Sequence, residues 1–198
     1  RTNSTCRFYK SEPVSDEILR EVIDAARWAP SGGNRQPLRF VVVREQTTKQ
    51  ALQDLYLPYW NGYIDGIKAG QTRVGGMPKL VEDADYFANH LVDIPVMLVV
   101  CAKLDDVHPT DQDLNRLSIV GGASIYTGVE NILLAARQVG LGAALTTLLC
   151  AEEPKVKALL NIPDEISTAA MITLGWPAKP FPTKLSRQPL EEIVFGEL

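Results

Sequence analysis

The loop Ala29–Pro37 constrains the fold of this chain more than any other stretch of its sequence. It reads Ala-Pro-Ser-Gly-Gly-Asn-Arg-Gln-Pro and separates a segment with helical spacing of apolar residues from the β-branched run Arg39–Val43. Ser15 is a good N-cap for that helix, and Pro30 ends it because the residue before a proline avoids the helical conformation. A loop at such a junction exposes backbone amides and small side chains, which suits a flat polar ligand.

Short apolar runs and segments of helical period alternate along the rest of the chain. The runs predict buried strands at Val96–Cys101, Ala143–Leu148 and Ala169–Gly175. Further helices are predicted from Thr47 or Thr48 to about Tyr56 before Pro58, over 79–91, over 117–139 (the longest) and over 154–160. No glycine-rich Rossmann or P-loop motif follows a strand, so the fold class is α+β or α/β without a standard nucleotide-binding loop.

The size and charge of the chain narrow its possible roles. Its 198 residues, 45% of them hydrophobic, predict a single domain over 1–198. The net charge of −4, without runs of like charge, argues against nucleic acid or an anionic membrane as a partner. The longest apolar stretch, Ile94–Ala102, is too short to cross a bilayer, and the first residues lack the apolar core of a signal peptide. These features predict a cytoplasmic protein.

The cysteines and histidines give little indication of metal or nucleophilic chemistry. Cys6, Cys101 and Cys150 lie far apart in the sequence, as expected of reduced thiols that pack as small apolar side chains. The histidines are isolated and no CxxC motif occurs, so we expect no metal site.

Residues 58–78 form the only long section without a firm period. The section is rich in glycine and carries the aromatic residues Trp60 and Tyr63. It is either a variable surface excursion or a lid whose aromatic side chains contact a substrate.

Small residues collect near the start of the longest predicted helix. They are Gly121, Gly122, Ala123, Ser124 and Gly128. Glycine costs about 1 kcal/mol inside a helix, so a close approach of another helix must compensate. This face is the best indication of a dimer interface in the sequence.

Four pieces of the chain carry a family pattern. They are Arg7-Phe8-Tyr9 with Glu12-Pro13-Val14, Ala29–Pro37, Ala135–Gly142 with Thr146-Thr147, and Leu174–Pro177 with Arg187–Leu190. In this order they resemble the nitroreductase family of FMN-dependent reductases. The resemblance implies an α+β nitroreductase-like fold, in which helices flank a central, mostly antiparallel sheet. It also implies an intertwined homodimer with an extended C-terminal tail over 177–198.

The same resemblance assigns the phosphate of FMN to two arginines from opposite ends of the chain, Arg7 and Arg187. Arginine suits this role because its planar fork binds two oxygens. Relatives usually carry further basic residues just before Arg7, where this chain has Asn3-Ser4-Thr5. Hydroxyls donate to phosphate without charge, so we expect weaker FMN binding unless Arg1 compensates.

Ser31, Gly32 and Asn34 match the positions that bind the pyrimidine edge of the flavin. Asn34 is otherwise a turn residue that bonds within its own loop. His90 matches a position where some relatives place a cation near the flavin O2, although a buried structural histidine fits equally well.

Leu145, Thr146 and Thr147 match the segment that faces flavin N5. Thr146 is the predicted hydrogen-bond donor to N5, the catalytic position, although threonine is also common in ordinary strands. Relatives with a hydroxyl there, the iodotyrosine deiodinases among them, are associated with one-electron steps.

The function implied is that of an FMN-dependent oxidoreductase. It takes a hydride from NAD(P)H onto N5 and passes electrons to a flat small-molecule acceptor, such as a nitroaromatic or quinone, by a ping-pong mechanism. Gly33, Trp60 and Tyr63 are the predicted substrate contacts. The alternatives are reductive dehalogenation, flavin fragmentation and non-catalytic flavin binding. Trp60 and Ile64 stand where a dehalogenase would grip a charged amino acid, which favours an uncharged acceptor.

Overall fold

A single antiparallel sheet forms the centre of the computed structural model, which describes residues 2–70 and 78–196. Its strands are β1 (Leu38–Val43), β2 (Val96–Lys103), β3 (Gly142–Thr146) and β4 (Ile166–Gly175), in the order β1-β2-β4-β3. All three pairings are antiparallel, and Ala144 lies opposite Thr173 between β3 and β4. The prediction of a mostly antiparallel sheet is therefore confirmed.

Helices cover both faces of this sheet. Their bounds are α1 (Asp16–Asp24), α2 (Gln46–Lys68), α3 (Pro78–Asn89), α4 (Ala123–Gln138), α5 (Glu153–Leu160) and α6 (Leu190–Ile193). One core cluster contains Val22 of α1 and Ile132 of α4, and the other contains Leu52 of α2 and Val156 of α5. Strand β2 contributes alternate residues to both clusters, which explains its continuous apolar sequence. No helix within the described ranges has the length and apolar character needed to span a bilayer.

The two ends of the chain run together beside β3. The Cys6 N–H donates to the Ala143 carbonyl over 2.8 Å, which attaches the N-terminal segment to the free edge of β3. The Ala178 N–H donates to the Phe8 carbonyl over 2.9 Å, which attaches the start of the tail to the same segment. The predicted extended tail follows, although it also contains the short helix α6.

The second helix differs from its prediction at both ends. Its N-cap is Glu45, whose carboxylate accepts from the Thr47 and Thr48 N–H groups, so neither threonine is the cap. The helix continues through Pro58 to Lys68, so the first half of the unpatterned section 58–78 is helical. Residues 71–77 lie outside the described residues. The predicted stop at Pro58 was wrong because Tyr56 and Trp60, on either side of it, are buried in the core.

The predicted helix over 117–139 begins later than expected, and α2 is longer. Gly121 and Gly122 belong to a 3₁₀ turn that precedes Ala123. Inside α4, a Cβ on Gly128 would overlap Leu38 of β1 and lie 3.3 Å from the Ala26 carbonyl oxygen. The close approach at Gly128 is therefore made within this chain and gives no support to a dimer interface. Gly140 ends the helix as predicted, with a φ of +88°.

Candidate functional site

The loop that follows α1 is held in a single conformation by its own bonds and by α4. Ser31 Oγ accepts from the Gln36 N–H over 3.1 Å, and the Gly32 N–H donates to Ser124 Oγ over 3.0 Å. Gly33 and Asn34 have φ values of +60° and +55°, which the glycine and the asparagine tolerate. The side chain of Asn34 is exposed, and it makes no hydrogen bond to any residue that the structure describes.

At the end of β3, Thr146 forms a hydroxyl pair with a buried tyrosine. Thr146 Oγ1 lies 3.2 Å from the Tyr56 hydroxyl oxygen and 3.5 Å from the Leu148 N–H nitrogen. Burial is the main reason that the pKa of Tyr56 is raised, so this hydroxyl keeps its proton. Either hydroxyl can donate within the pair, and when Tyr56 donates, the hydrogen of Thr146 is available to a further acceptor. The side chains of Leu145 and Thr147 are exposed.

Arg7 lies near the same tyrosine. Burial raises the pKa of Tyr56, whereas the hydrogen bond to Thr146 and the positive charge of Arg7 both act to lower it. Thr146 therefore contacts this buried hydroxyl directly, and Arg7 acts on it through its charge. Tyr56 was not among the predicted site residues, because its only signal in the sequence is its spacing of four residues from Leu52 and from Trp60 on α2.

Arg7 also lines a cleft of about 150 Å³ between the N-terminal segment and the start of the tail. Ser4, Thr5 and Lys179 line the same cleft. Arg187 does not line this cleft. Its side chain is exposed, and its Nη1 donates to the Ser186 carbonyl over 2.7 Å.

His90 stacks on Tyr86, which in turn stacks on Phe8, the residue that follows Arg7. The His90 ring centroid lies 3.9 Å from that of Tyr86, and the Tyr86 centroid lies 4.8 Å from that of Phe8. His90 Nδ1 lies 2.7 Å from the Tyr86 carbonyl oxygen, which fixes the orientation of the imidazole.

The two predicted aromatic substrate contacts have different environments. Trp60 is only 7% exposed, and its indole N–H donates to Asp85 of α3 over 2.8 Å. It packs in the core between two helices and offers no open face to a substrate. Tyr63, one turn further along α2, is 39% exposed.

The predicted site residues fall into two groups. Arg7, Thr146 and His90 are connected through Tyr56 and through the stacked rings, whereas Ser31 and its loop are attached to α4. Among the described residues no hydrogen bond joins the two groups, and the cleft lined by Ser31 is separate from the cleft lined by Arg7. They also contain no cluster of three or more His, Cys, Asp or Glu side chains suited to a metal ion.

The family model described as Nitroreductase family matches residues 1–176. The chain belongs to the nitroreductase family. It is 28% identical to a protein named NADH dehydrogenase from Thermus thermophilus, over 95% of this chain and 89% of that one. A Desulfovibrio desulfuricans protein, described as a nitroreductase and crystallised in complex with FMN, aligns with a TM-score of 0.70 and 25% identity. That alignment covers 100% of this nitroreductase-family chain and 94% of the other.

A further relative belongs to a different reaction class. The Caenorhabditis elegans protein named iodotyrosine dehalogenase 1 homolog is 26% identical over 96% of this chain and 57% of its own length. Relatives of this chain are thus named both for NADH oxidation and for dehalogenation.

Proposed function

We propose that this chain is an FMN-dependent NAD(P)H oxidoreductase that reduces a flat acceptor such as a nitroaromatic or a quinone. The observation that carries the proposal is the placement of two possible donors at Tyr56, the Thr146 hydroxyl by direct contact and the Arg7 guanidinium through its charge. When bound, FMN supplies the redox chemistry, accepting a hydride at N5 from NAD(P)H and passing electrons to the acceptor in a ping-pong cycle. The relatives named for NADH oxidation and FMN binding support this function.

The residues of this chain bind and orient the cofactor. Thr146, between Leu145 and Thr147, would donate its hydroxyl hydrogen to flavin N5, with Tyr56 as the donor to its oxygen. The Arg7 guanidinium would bind phosphate oxygens, with Arg187 as the partner that the family pattern names. His90, fixed by its bond to Tyr86, would place its ring near the flavin O2.

We propose that two copies of the chain, each a single domain, build each site. In this arrangement Ser31, Gly32 and Asn34 of one copy bind the pyrimidine edge of the flavin held by Arg7 and Thr146 of the other. The separation of the two groups within one chain supports this arrangement. So do exposed apolar side chains just before α4, where Leu117 is 88% exposed and Ile119 is 76% exposed.

Mixing two inactive variants tests the shared site. Arg7→Gln damages one half-site and Asn34→Ala the other, so each homodimer loses both of its sites. After random exchange of subunits, half of the dimers are mixed and each has one intact site, so about a quarter of all sites recover. No recovery of activity on mixing would contradict a site built from two chains.

The absorbance spectrum of the purified protein, before and after addition of NADH or NADPH, tests the oxidoreductase itself. We expect a flavin spectrum that bleaches with a nicotinamide and recovers with a quinone or nitroarene. A protein that takes up no FMN would refute the flavin proposal. Bound flavin that neither nicotinamide reduces would instead favour a non-catalytic flavin-binding protein.

Reductive dehalogenation is the second candidate function. The hydroxyl that Thr146 places at the predicted N5 position favours it, as does the similarity to the Caenorhabditis elegans dehalogenase homolog. Halide release from a halogenated tyrosine or phenol by the chemically reduced protein would support it. Loss of FMN with formation of a smaller aromatic product under oxygen would identify the flavin-fragmenting alternative.

A further inference from the structure

The cleft between the chain ends combines donors of two kinds. It is lined by the hydroxyl residues Ser4 and Thr5 and by the basic residues Arg7 and Lys179. Its walls are held in place because the tail is hydrogen-bonded to the N-terminal segment, from the Ala178 N–H to the Phe8 carbonyl. Lys179 directly follows this bond, so its backbone is fixed beside Arg7.

Both cations of the cleft lack an anionic partner. Within residues 2–70 and 78–196, neither Arg7 nor Lys179 forms an ion pair or a side-chain hydrogen bond. The Lys179 ammonium lies over the Phe8 ring, 3.0 Å from its centroid. This contact orients the ammonium but does not neutralise its charge.

The remaining charges leave the cleft positive. Asp83 is the acidic residue that lines it, and its carboxylate lies 4.0 Å from the Lys79 ammonium, which offsets its charge. Behind the cleft wall, the Arg137 guanidinium carbon lies 3.8 Å from the ring centroid of Phe181. The buried Nε of Arg137 has no hydrogen-bond partner in the described residues. A further positive charge therefore lies close to the cleft.

We propose that Lys179 is the second cation of the FMN phosphate site, opposite Arg7. This inference rests on the proposed FMN-dependent function and identifies a residue that the family pattern does not. It also explains how the phosphate would be bound without basic residues at Asn3-Ser4-Thr5. Lys179 supplies the missing positive charge from the tail, and the Ser4 and Thr5 hydroxyls donate to the same phosphate. The exposed Arg187 then has at most a secondary role.

Titration of the apoprotein with FMN and with riboflavin tests this role. The two flavins have the same ring and ribityl chain, and only FMN carries the phosphate. Lys179 is exposed, so Lys179→Gln is expected to fold, and thermal melting checks this. We expect this variant to raise the Kd for FMN about tenfold or more and to leave the Kd for riboflavin unchanged, because one charge-assisted hydrogen bond to phosphate is lost. Lys179→Arg, which keeps the charge, is expected to bind FMN nearly as the wild type does.

Lys184→Gln is the matched control. It removes the same charge from the same tail, and Lys184 is exposed and does not line the cleft. Equal losses for FMN and riboflavin in Lys179→Gln, no loss, or an equal FMN loss in Lys184→Gln would each overturn the assignment. Wild-type protein that binds neither flavin would refute the proposed function instead.

Discussion

Gly142 of β3 lies against Cys6 of the N-terminal segment, and a substitution there tests how the cleft is held together. A Cβ on Gly142 would overlap Cys6 Sγ and lie 2.7 Å from Cys6 Cβ. Cys6 cannot move away freely, because its N–H donates to the carbonyl of Ala143 over 2.8 Å. Gly142→Ala therefore either strains this contact or detaches the segment that carries Arg7.

The cost of Gly142→Ala follows from these two contacts. Overpacking by one methyl group costs about 1–3 kcal/mol, and loss of one backbone hydrogen bond about 0.5–1.5 kcal/mol. Since only one of the two occurs, we expect the free energy of unfolding, measured by urea denaturation, to fall by about 1–3 kcal/mol. The affinity for FMN should fall with it, since Arg7 moves with Cys6.

Second substitutions at Cys6 distinguish this overlap from a general intolerance of alanine. In the Gly142→Ala background, Cys6→Ala removes the sulfur but leaves the 2.7 Å contact of its Cβ, whereas Cys6→Gly removes both. Rescue should therefore be partial with alanine and larger with glycine, in a double-mutant cycle. Gly62→Ala is the control, because a Cβ there meets nothing within 4 Å and should stabilise the exposed helix by about 0.5–1 kcal/mol. The reasoning is refuted if Gly142→Ala is as stable as the wild type, or if neither change at Cys6 restores stability.

Three further predictions concern side chains away from this contact. Tyr56→Phe removes the hydroxyl that is hydrogen-bonded to Thr146 and should lower the free energy of unfolding by about 1 kcal/mol in urea; an unchanged value would contradict the hydroxyl pair. Trp60→Phe removes the hydrogen bond to Asp85 and should cost about 1–2 kcal/mol in the same assay, as expected of a core residue. Asp111 accepts hydrogen bonds from Ser118 and the Ile119 N–H, which hold its pKa well below the unfolded value of 3.8. The ionised Asp111 carboxylate therefore stabilises the folded state above pH 3.8, and this stabilisation is lost as the pH falls through the pKa of Asp111 in the folded protein. Asp111→Asn should lessen the acid-induced loss of stability, measured by urea unfolding at neutral and acidic pH.

The strands could be predicted from the sequence more accurately than α2, because each buried strand is marked by the apolar residues of its own segment. Strand β2 is buried on both faces, so its sequence is apolar without interruption. In α2, Pro58 costs about 3 kcal/mol inside a helix by intrinsic propensity alone. Burial of Tyr56 and Trp60 on either side contributes about 1.5–3 kcal/mol each, which offsets that cost. This stabilisation arises only when the helix packs into the folded core, so the sequence around Pro58 does not reveal it.

The candidate site shows the same division between local and tertiary signals. Arg7, Ser31 and Thr146 stand within short motifs, so their positions were available from the sequence alone. Lys179 stands in an ordinary proline-rich tail, and its relation to Arg7 exists because the tail is hydrogen-bonded to Phe8. Tyr56 likewise acquires its role from a contact with a strand distant in the sequence. Contacts between residues so far apart in the sequence depend on the complete fold, and the periodicity of apolar residues does not predict them.

The placement of the phosphate cleft couples cofactor binding to the docking of both chain ends. Its donors come from residues 4–7 and from Lys179, and these stay together only while the N-terminal segment is attached to Ala143 and the tail to Phe8. A ligand that binds only the docked state stabilises that state by RT ln(1 + [L]/Kd). FMN should therefore raise the stability of the wild type more than riboflavin does at equal concentration. Gly142→Ala loses affinity by disturbing the docking, whereas Lys179→Gln loses it with the docking intact. Excess FMN should consequently restore the stability that Gly142→Ala loses, with part of the binding free energy used to reattach the chain ends, whereas Lys179→Gln has no such loss to restore.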